Sequence, residues 1–419
     1  MVFGKFRTRI FYGWVIVIAT NIININLMGT RFSFGVFFKS LAVEFDLTRA
    51  VTSSLISAYL ILCAVISILG GWAMDKYGAR PIFFITGLFS GLSLLLTSQT
   101  NSLWQLYLSY SLLLAIGTGA IYTLTLSTIS KWFDKQCGLA MGISGAGVGI
   151  GQMLFAPFAA MLISNFGWRM SYIVMGSLIG FMAICMAALI QNDPSDINVL
   201  PDGIQAKDTA PDIISRERNC QTVGLSLSQA LKSKNFWIFM PTWVFMGFGN
   251  FLVLTHIVPY ATDAGLPAVN AATIISVVGV LNILSGIVVG RICDILGSKI
   301  PGIFLSLIRA LAVTGLIWAD QLWMFYIFAV VFGITHGGSS PVLASLCVDI
   351  FGRHSLGVIM GTLAAIFSIS AAIGPFVGGL IFDLKGSYSL AFLITAVTSV
   401  LMSVSIASVG VKKWRESNL

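Results

Sequence analysis

The stretch Gly71-Trp-Ala-Met-Asp75-Lys-Tyr-Gly78-Ala-Arg80 recurs in the second half of the chain as Gly290-Arg-Ile-Cys-Asp294-Ile-Leu-Gly297-Ser-Lys299. Both copies fit the pattern G-x-x-x-D-x-x-G-x-[KR], and each follows the second long apolar segment of its half. A motif of glycines with a proline repeats as well, at residues 145–157 and 374–379. One glycine stripe is weak evidence for close helix packing, but two motifs duplicated at matching positions predict two related halves.

Apolar segments fill most of the chain around these motifs. Hydrophobic residues make up 57% of the 419 residues and charged residues 10%, whereas soluble domains carry about 25% charge. A helix that crosses a bilayer needs about 20 mostly apolar residues. Twelve segments qualify, at residues 11–38, 50–74, 81–98, 103–130, 138–164, 170–191, 236–262, 270–293, 300–319, 322–349, 355–382 and 388–411. The sequence therefore predicts an all-α integral membrane protein, with twelve transmembrane helices in two pseudo-symmetric six-helix bundles.

The polar segments predict how the chain is divided and oriented. The long polar segment 191–235 is interpreted as a cytoplasmic linker between an N-terminal bundle (residues 1–190) and a C-terminal bundle (236–419). Most of the 24 lysines and arginines lie in the two tails and in alternate loops, which the positive-inside rule makes cytoplasmic. We therefore expect a monomeric, multi-pass protein of the cell membrane (the inner membrane in a bacterium), with both termini in the cytoplasm.

Charge and motif content exclude several classes of function. The net charge of +8 is distributed along the membrane edges, so nucleic acid is not an expected partner. No phosphate-binding G-x-x-x-x-G-K-[ST] motif occurs, and the six cysteines stand singly, without the spacing of a metal site. No nucleophile–base pair is recognisable either. We therefore expect neither an enzyme nor a protein with a cofactor or a metal.

The sequence resembles the major facilitator superfamily over essentially its whole length, because the duplicated loop motif is the most specific signature of that superfamily. The resemblance implies two bundles that rock around a central site lined by helices 1, 4, 7 and 10. Residues 31–38, 131–142 and 349–352 are also similar to bacterial members of the monocarboxylate and oxalate–formate porter group. That similarity implies alternating-access transport of a small organic anion, with a monocarboxylate such as lactate or pyruvate as the leading expectation.

The chain departs from that group at two positions that bear on the substrate. Gly286 stands where animal monocarboxylate carriers and oxalate exchangers have an arginine, and Phe367 stands where the oxalate exchanger has a lysine. Both cations expected for a dicarboxylate are missing, so oxalate exchange is not expected. A monocarboxylate would need a different cation to neutralise it.

Arg31 is the leading candidate for that cation. Ionisable residues inside a membrane cost about 2.5–3.5 kcal/mol each, and all 16 Asp and Glu residues lie in loops or at predicted helix ends. Arg31 therefore has no acidic partner in any span, and a guanidinium pairs bidentately with a carboxylate. We predict that Arg31 binds the substrate anion. The alternative is a structural arginine that snorkels outward.

Two histidines are candidates for substrate binding and for carrying a coupled proton. His256 in span seven matches the depth of Arg31 in span one, so the two side chains could face each other across the cavity. His336 lies near the middle of span ten, in a glycine-rich segment that could expose backbone donors to a ligand. Histidine titrates near neutral pH, which leaves proton symport, uniport and anion exchange open. Packing roles are the alternative for both.

Three uncharged residues complete the predicted substrate site. Asn282 is near the centre of span eight, Tyr122 follows a glycine motif in span four, and Ser370 lies in span eleven. Each offers a hydrogen-bonding group to a carboxylate or hydroxyl. Asn282 could equally join neighbouring helices, and membrane-embedded tyrosines such as Tyr122 are often structural.

The duplicated motif supplies the predicted gating residues, which are Asp75, Arg80, Arg291 and Asp294. Charge pairs among them would stabilise one of the two access states, and they should not touch the substrate. Arg309 lies mid-span in helix nine, and the sequence gives no account of it.

Two other functions compete with anion transport. Efflux of a hydrophobic or drug-like compound is the first, and the missing arginine at Gly286 favours it. A ligand sensor with a transporter fold is the second, and the short polar linker disfavours it.

Overall fold

The structure is a computed structural model that describes residues 11–133, 136–194, 224–352 and 355–410. Both tails and linker residues 195–223 lie outside these ranges, so the predictions that concern them fall on residues that the structure does not describe. The side chains of Asp75 and Cys137 are not described either. Within the described ranges the chain is almost entirely helical.

Helices are numbered here by membrane span. The N-terminal half holds α1 (Tyr12–Phe32, continued after Ser33 as Phe34–Glu44), α2 (Arg49–Tyr77), α3 (Ala79–Thr97), α4 (Leu103–Trp132) and the joined pair α5 and α6 (Cys137–Leu189). The C-terminal half holds α7 (Lys234–Asp263), α8 (Ala268–Leu296), α9 (Lys299–Leu316), α10 (Leu322–Phe351), α11 (Leu356–Lys385) and α12 (Ser389–Ser408). A short helix with an N-terminal capping box, Leu227–Lys232, precedes α7.

The number of spans follows from the length of one helix. Eleven of the described helices are long and apolar enough to cross a membrane. Cys137–Leu189 contains 53 residues, which is about 80 Å of helix at 1.5 Å per residue and far more than one crossing needs. It breaks at Gly167, whose φ of 77° is strained for any residue with a side chain. It therefore supplies both α5 and α6, which gives the twelve predicted spans.

The duplicated motif builds the same turn twice. Gly78 between α2 and α3 has φ 87° and ψ 167°, and Gly297 between α8 and α9 has φ 77° and ψ 163°. Only glycine adopts this region without strain. The two copies therefore reverse the chain in the same way at the same point of each half, which is the structural counterpart of the sequence repeat.

The first span is longer than its apolar pattern predicts. The pattern ends at residue 38, but the helix bends at Ser33, whose hydroxyl donates to the Gly29 carbonyl oxygen at 2.8 Å, and then continues to Glu44. The last turns carry polar residues because they extend beyond the apolar layer. Hydropathy marks that layer and not the end of the helix.

The two halves meet along three helix pairs, which are α2 with α11, α5 with α8, and α1 with α7. We name the end of the bundle where α1 begins and α12 ends the termini end, and the end that holds Glu44 and Asp263 the far end. Close contacts between the halves lie in the middle and toward the far end. For example, Ser276 of α8 donates to the Met153 carbonyl oxygen of α5 at 2.7 Å. The two halves are therefore in contact with each other toward the far end.

Five glycines at the termini end have open space beside them. A methyl group added to Gly138, Gly142 or Gly145 of α5, or to Gly357 or Gly361 of α11, would meet no atom within 4 Å. Both helices pack against the other half further along. The halves therefore separate toward the termini end.

Candidate functional site

Arg31 lies at the junction of the two halves. It belongs to the last turn of the first segment of α1. Its guanidinium carbon is 4.5 Å from the ring centroid of Phe251 in α7 and 5.9 Å from that of Tyr59 in α2. Its Nε is buried without a hydrogen-bond partner, and no described residue accepts a hydrogen bond from the side chain. The donors of Arg31 are therefore available to a ligand.

A small cleft, partly open to solvent, lies beside this guanidinium. Residues of α1, α2 and α7 line it: Arg31, Phe32, Phe34, Gly35, Ile56, Phe251, Leu254 and Thr255. The wall thus combines one cation and one hydroxyl with aromatic and aliphatic side chains. Such a wall suits a small ligand with one negative charge and an apolar body, because a few polar groups orient the ligand while apolar surface buries the rest.

Charged residues of the two halves pair at the far end. Arg49, the first residue of α2, donates to the carboxylate of Asp263 in α7 at 2.6 Å and to the Tyr388 hydroxyl at 2.7 Å. Lys39 of α1 lies 2.6 Å from the second carboxylate oxygen of Asp263. The backbone amide of Arg49 donates to Asp383 of α11 at 2.9 Å. We name these five residues the far-end cluster, and they hold the far end closed.

A separate ion pair stiffens the far end of the N-terminal half. Arg169 near the start of α6 donates to the Glu44 carboxylate at the end of α1 and to the Thr100 carbonyl oxygen at 3.0 Å. The hydrogen bond from Arg169 lowers the pKa of Glu44 from its ordinary value. This pair joins helices of one half and spans no gap between halves.

His256 contacts the far-end cluster and not the cavity wall. It is fully buried, with Nε2 2.8 Å from the Pro375 carbonyl oxygen and Nδ1 3.1 Å from the Tyr388 hydroxyl. Ser53 of the other half lies 3.4 Å from Nε2. No described contact joins His256 to Arg31, so the structure does not bring the predicted pair together. Substrate binding and proton coupling by His256 stay predictions.

His336 and Asn282 lie inside the C-terminal half. The His336 ring stacks on Phe332, with 5.9 Å between centroids and 9° between planes, and its Nδ1 is buried without a partner. Asn282 packs its backbone against α10, because a methyl group on Gly337 would lie 2.2 Å from the Asn282 carbonyl oxygen. Neither residue has a described contact with Arg31.

Tyr122 and Ser370 also stand apart from the cavity at Arg31. Tyr122 of α4 is exposed and forms no hydrogen bond with another described residue. Ser370 of α11 donates to the Val244 carbonyl oxygen of α7 at 2.5 Å, so its hydroxyl links two helices of one half. Their part in substrate binding stays a prediction.

The predicted gating residues lie at the termini end, where the halves are apart. The amide of Arg80 donates to Oδ1 of Asn192 at 2.9 Å. Arg291 and Asp294 are exposed, and neither forms an ion pair with a residue that the structure describes. The described charge pairs between the halves are all at the opposite end. Gating by the motif therefore stays a prediction for the state in which the termini end closes.

Sequence reasoning missed the aromatic part of the site. Phe251 and Tyr59 lie nearest the Arg31 guanidinium, but nothing distinguishes them in a chain with 12% aromatic residues. The one available signal was position, because Phe251 lies on span seven, which the family resemblance predicted to line the site.

One site between two six-helix bundles, closed at one end and open at the other, is the geometry of a carrier. The profile of the Major Facilitator Superfamily matches residues 20–322 and 303–413. The chain belongs to the Major Facilitator Superfamily. It is a multi-pass membrane transporter and not an enzyme. Among the described residues, no group of three or more His, Cys, Asp or Glu side chains could hold a metal ion.

Curated relatives cover almost the whole chain at low identity. The human protein named "Monocarboxylate transporter 11" is 26% identical over 96% of this chain and 83% of its own length. Human "Monocarboxylate transporter 12" is 24% identical over 97% of this chain and 82% of its own. "Monocarboxylate transporter 13" of Bos taurus is 25% identical, with 91% and 86% covered.

Solved structures share the fold. A D-xylose–proton symporter superposes with a TM-score of 0.75 at 15% identity, with 97% of this chain and all of that chain covered. A bacterial homologue of the human lysosomal transporter Spinster, inward-facing and occupied, gives a TM-score of 0.72 at 15% identity over 95% and 96% of the two chains. At this identity the likeness shows the fold alone.

Proposed function

We propose that the protein carries a small organic monocarboxylate, of the size of lactate or pyruvate, by alternating access. The observation that carries the proposal is Arg31, the one cation in the cavity wall, which is free of acidic partners and flanked by aromatic rings. A single guanidinium neutralises a single carboxylate. The names of the curated relatives support the same substrate class.

The missing second cation supports a monocarboxylate over a dicarboxylate. Gly286 and Phe367 replace the cations of the oxalate exchangers, and the cavity lining contains no lysine and no other arginine. A second carboxylate would enter an apolar wall unpaired, which carries a heavy desolvation penalty. The protein should therefore reject oxalate.

The proposed orientation of the protein in the membrane is based on the lysines and arginines of its loops. Among the described residues, lysines and arginines are more numerous at the termini end than at the far end, and the positive-inside rule places that end in the cytoplasm. With that orientation, the closed far end faces outward and the structure is open to the cytoplasm. We propose the cell membrane, or the inner membrane in a bacterium, as its location.

Proton coupling requires a group that binds the proton. The described spans contain no mid-membrane carboxylate, and His256 is fully buried among three hydrogen-bonding partners at the closed far end. We propose that a co-transported proton travels on one of the two histidines, His256 or His336, or on the substrate. His336 has a buried nitrogen without a partner.

Efflux of a hydrophobic compound is the second candidate. The aromatic and aliphatic wall of the cavity favours it. The unpaired guanidinium opposes it, because an uncharged cargo would leave that cation without a partner.

Uptake into proteoliposomes tests the proposal. Purified protein is supplied with labelled lactate, pyruvate, oxalate and a neutral hydrophobic compound, with and without an inward proton gradient. We expect saturable uptake of the monocarboxylates and none of oxalate, because one cation compensates one charge. Acceleration by the gradient indicates proton symport, and equal rates indicate uniport or exchange. Transport of the neutral compound without the monocarboxylates would instead support efflux.

A further inference from the structure

Arg309 is a second arginine within a span, and it does not line the cavity between the halves. It lies in the middle of α9 and is 2% exposed. Its Nε, Nη1 and Nη2 are all buried, and none has a hydrogen-bond partner among the residues that the structure describes. A buried guanidinium without a counter-charge is strongly unfavourable inside a membrane protein. These donors therefore require an anionic acceptor.

Helices of the C-terminal half enclose this guanidinium. A methyl group on Gly249 of α7 would lie 2.5 Å from Nη2 and 3.0 Å from a carbon of Thr395 in α12. Gly249 thus provides the room that the guanidinium occupies. The Phe332 ring of α10 lies 5.6 Å from the guanidinium carbon. A ring face compensates only part of a full charge, so the need for an anion remains.

His336 brings a second unpaired nitrogen to the same place. Its ring stacks on Phe332, against which the Arg309 guanidinium also lies, and its Nδ1 is buried without a partner among the described residues. A guanidinium has only donors, and an imidazole nitrogen that carries a proton is a donor as well. No described residue accepts a hydrogen bond from either group, so we infer that the acceptor comes from outside the chain.

We propose that Arg309 and His336 form a binding site for a small inorganic anion of halide size within the C-terminal half. We infer the size class from the enclosure of the guanidinium by α7, α10 and α12, because Arg309 is only 2% exposed. The site is separate from the cavity at Arg31. The bound anion neutralises Arg309 and joins α9 to its neighbours, so it stabilises the folded state in proportion to its occupancy.

Thermal unfolding of the purified full-length protein tests this site. Sodium chloride is titrated against sodium methanesulfonate, a larger anion that is not a carboxylate, at constant ionic strength, with sodium bromide as a second halide. We expect chloride and bromide to raise the unfolding midpoint in a saturable way, while methanesulfonate, which is too large for the site, does not. Arg309→Met should weaken the apparent chloride affinity by about tenfold or more, because the charge-assisted hydrogen bonds are lost.

Two further variants locate the effect. Arg31→Gln is the matched control, since it removes the other arginine within a span and should keep the full chloride response. His336→Phe keeps the stacking on Phe332 and should weaken the response. An absent response in the wild type, an equal response in Arg309→Met, or a response lost only in Arg31→Gln would overturn the proposal.

Crystals of the wild-type protein in bromide keep the proposal testable if Arg309→Met does not fold. Anomalous density between Arg309 and His336 supports the site, and its absence at saturating bromide refutes it. Both readouts are independent of uptake. A failed anion site would therefore leave the monocarboxylate proposal standing, and failed uptake would leave the anion site standing.

Discussion

Arg31 and Arg309 are the same residue type in apolar helices of similar character, yet their surroundings differ completely. Arg31 opens onto a cavity that both halves line, whereas Arg309 is enclosed within one half. The sequence identifies both, because any charge inside a membrane requires an explanation. It cannot separate them, because helix packing, and not local pattern, decides which side chain faces a cavity.

His256 shows the limit of reasoning from depth alone. The sequence places it at the level of Arg31, and its neighbour Thr255 does line the cavity. One residue along a helix turns the side chain by about 100°, which directs His256 to Pro375 and Tyr388 instead. The direction of this side chain depends on how α7 is rotated about its own axis, which the sequence of a mostly apolar helix does not reveal.

Replacing His256 with alanine should loosen the closed far end. The change removes the contact of its ring with Ser53 across the halves, together with the hydrogen bonds to Tyr388 and Pro375 of its own half that hold the ring in place for that contact. Losing about 1 kcal/mol changes the population of a far-end-open state by about fivefold. A cysteine at Ile56 in the cavity wall, in a background without native cysteines, should react about fivefold faster with an impermeant thiol reagent applied at the far end.

Ser370→Ala is the control for this change. It also removes a buried hydrogen bond, but one between two helices of the same half, and should leave the labelling rate unaltered. Equal labelling of the His256→Ala and wild-type proteins would show that His256 does not contribute to closure.

At the scale of helices, the sequence predicts which segments cross the membrane but not how they end or bend. The repeated glycine motif correctly locates the turns at Gly78 and Gly297, because only glycine tolerates that backbone. The extension of α1 to Glu44 was missed, since hydropathy stops with the apolar layer. The break at Gly167 falls between the predicted spans 138–164 and 170–191, but nothing in the sequence distinguishes this glycine from the others in a chain that has 42 of them.

The crossing of α5 and α8 depends on two glycines that face each other. A methyl group on Gly279 would lie 2.7 Å from the Gly149 carbonyl oxygen and 2.8 Å from the Met153 amide nitrogen. Gly279→Leu should therefore force the halves apart where they close. We expect the initial uptake rate to fall by about tenfold, since overpacking costs about 1–3 kcal/mol, while the protein still reaches the membrane.

Gly315→Leu provides the comparison, because a methyl group at Gly315 of α9 meets no atom within 4 Å. It should transport like the wild type. Normal uptake by Gly279→Leu would mean that the close approach of α5 and α8 is not needed for the transport cycle.

At the scale of the molecule, two related halves form an assembly whose ends differ. The far-end cluster joins the halves through Asp263, Lys39 and Arg49, while the motif charges at the termini end are unpaired among the described residues. The sequence predicted twelve spans and the family, because duplication and hydropathy are properties of the chain. It could not predict which end is closed, because both states share one sequence and differ only in packing.

The transport activity of Arg31 variants shows directly whether this guanidinium binds the substrate. Initial uptake of a labelled monocarboxylate into proteoliposomes is measured for the wild type, Arg31→Gln, Arg31→Lys and Lys385→Gln, at equal amounts of folded protein. Lys385 is an exposed cation at the end of α11, so its variant controls for loss of charge alone.

We predict that Arg31→Gln lowers kcat/KM by at least about tenfold, because a charge-assisted hydrogen bond contributes roughly 1.5–3 kcal/mol. Arg31→Lys should retain part of the activity, since its charge remains but the bidentate fork is lost. Lys385→Gln should transport like the wild type. Saturable uptake by Arg31→Gln at the wild-type rate and affinity would contradict binding of the carboxylate by this guanidinium.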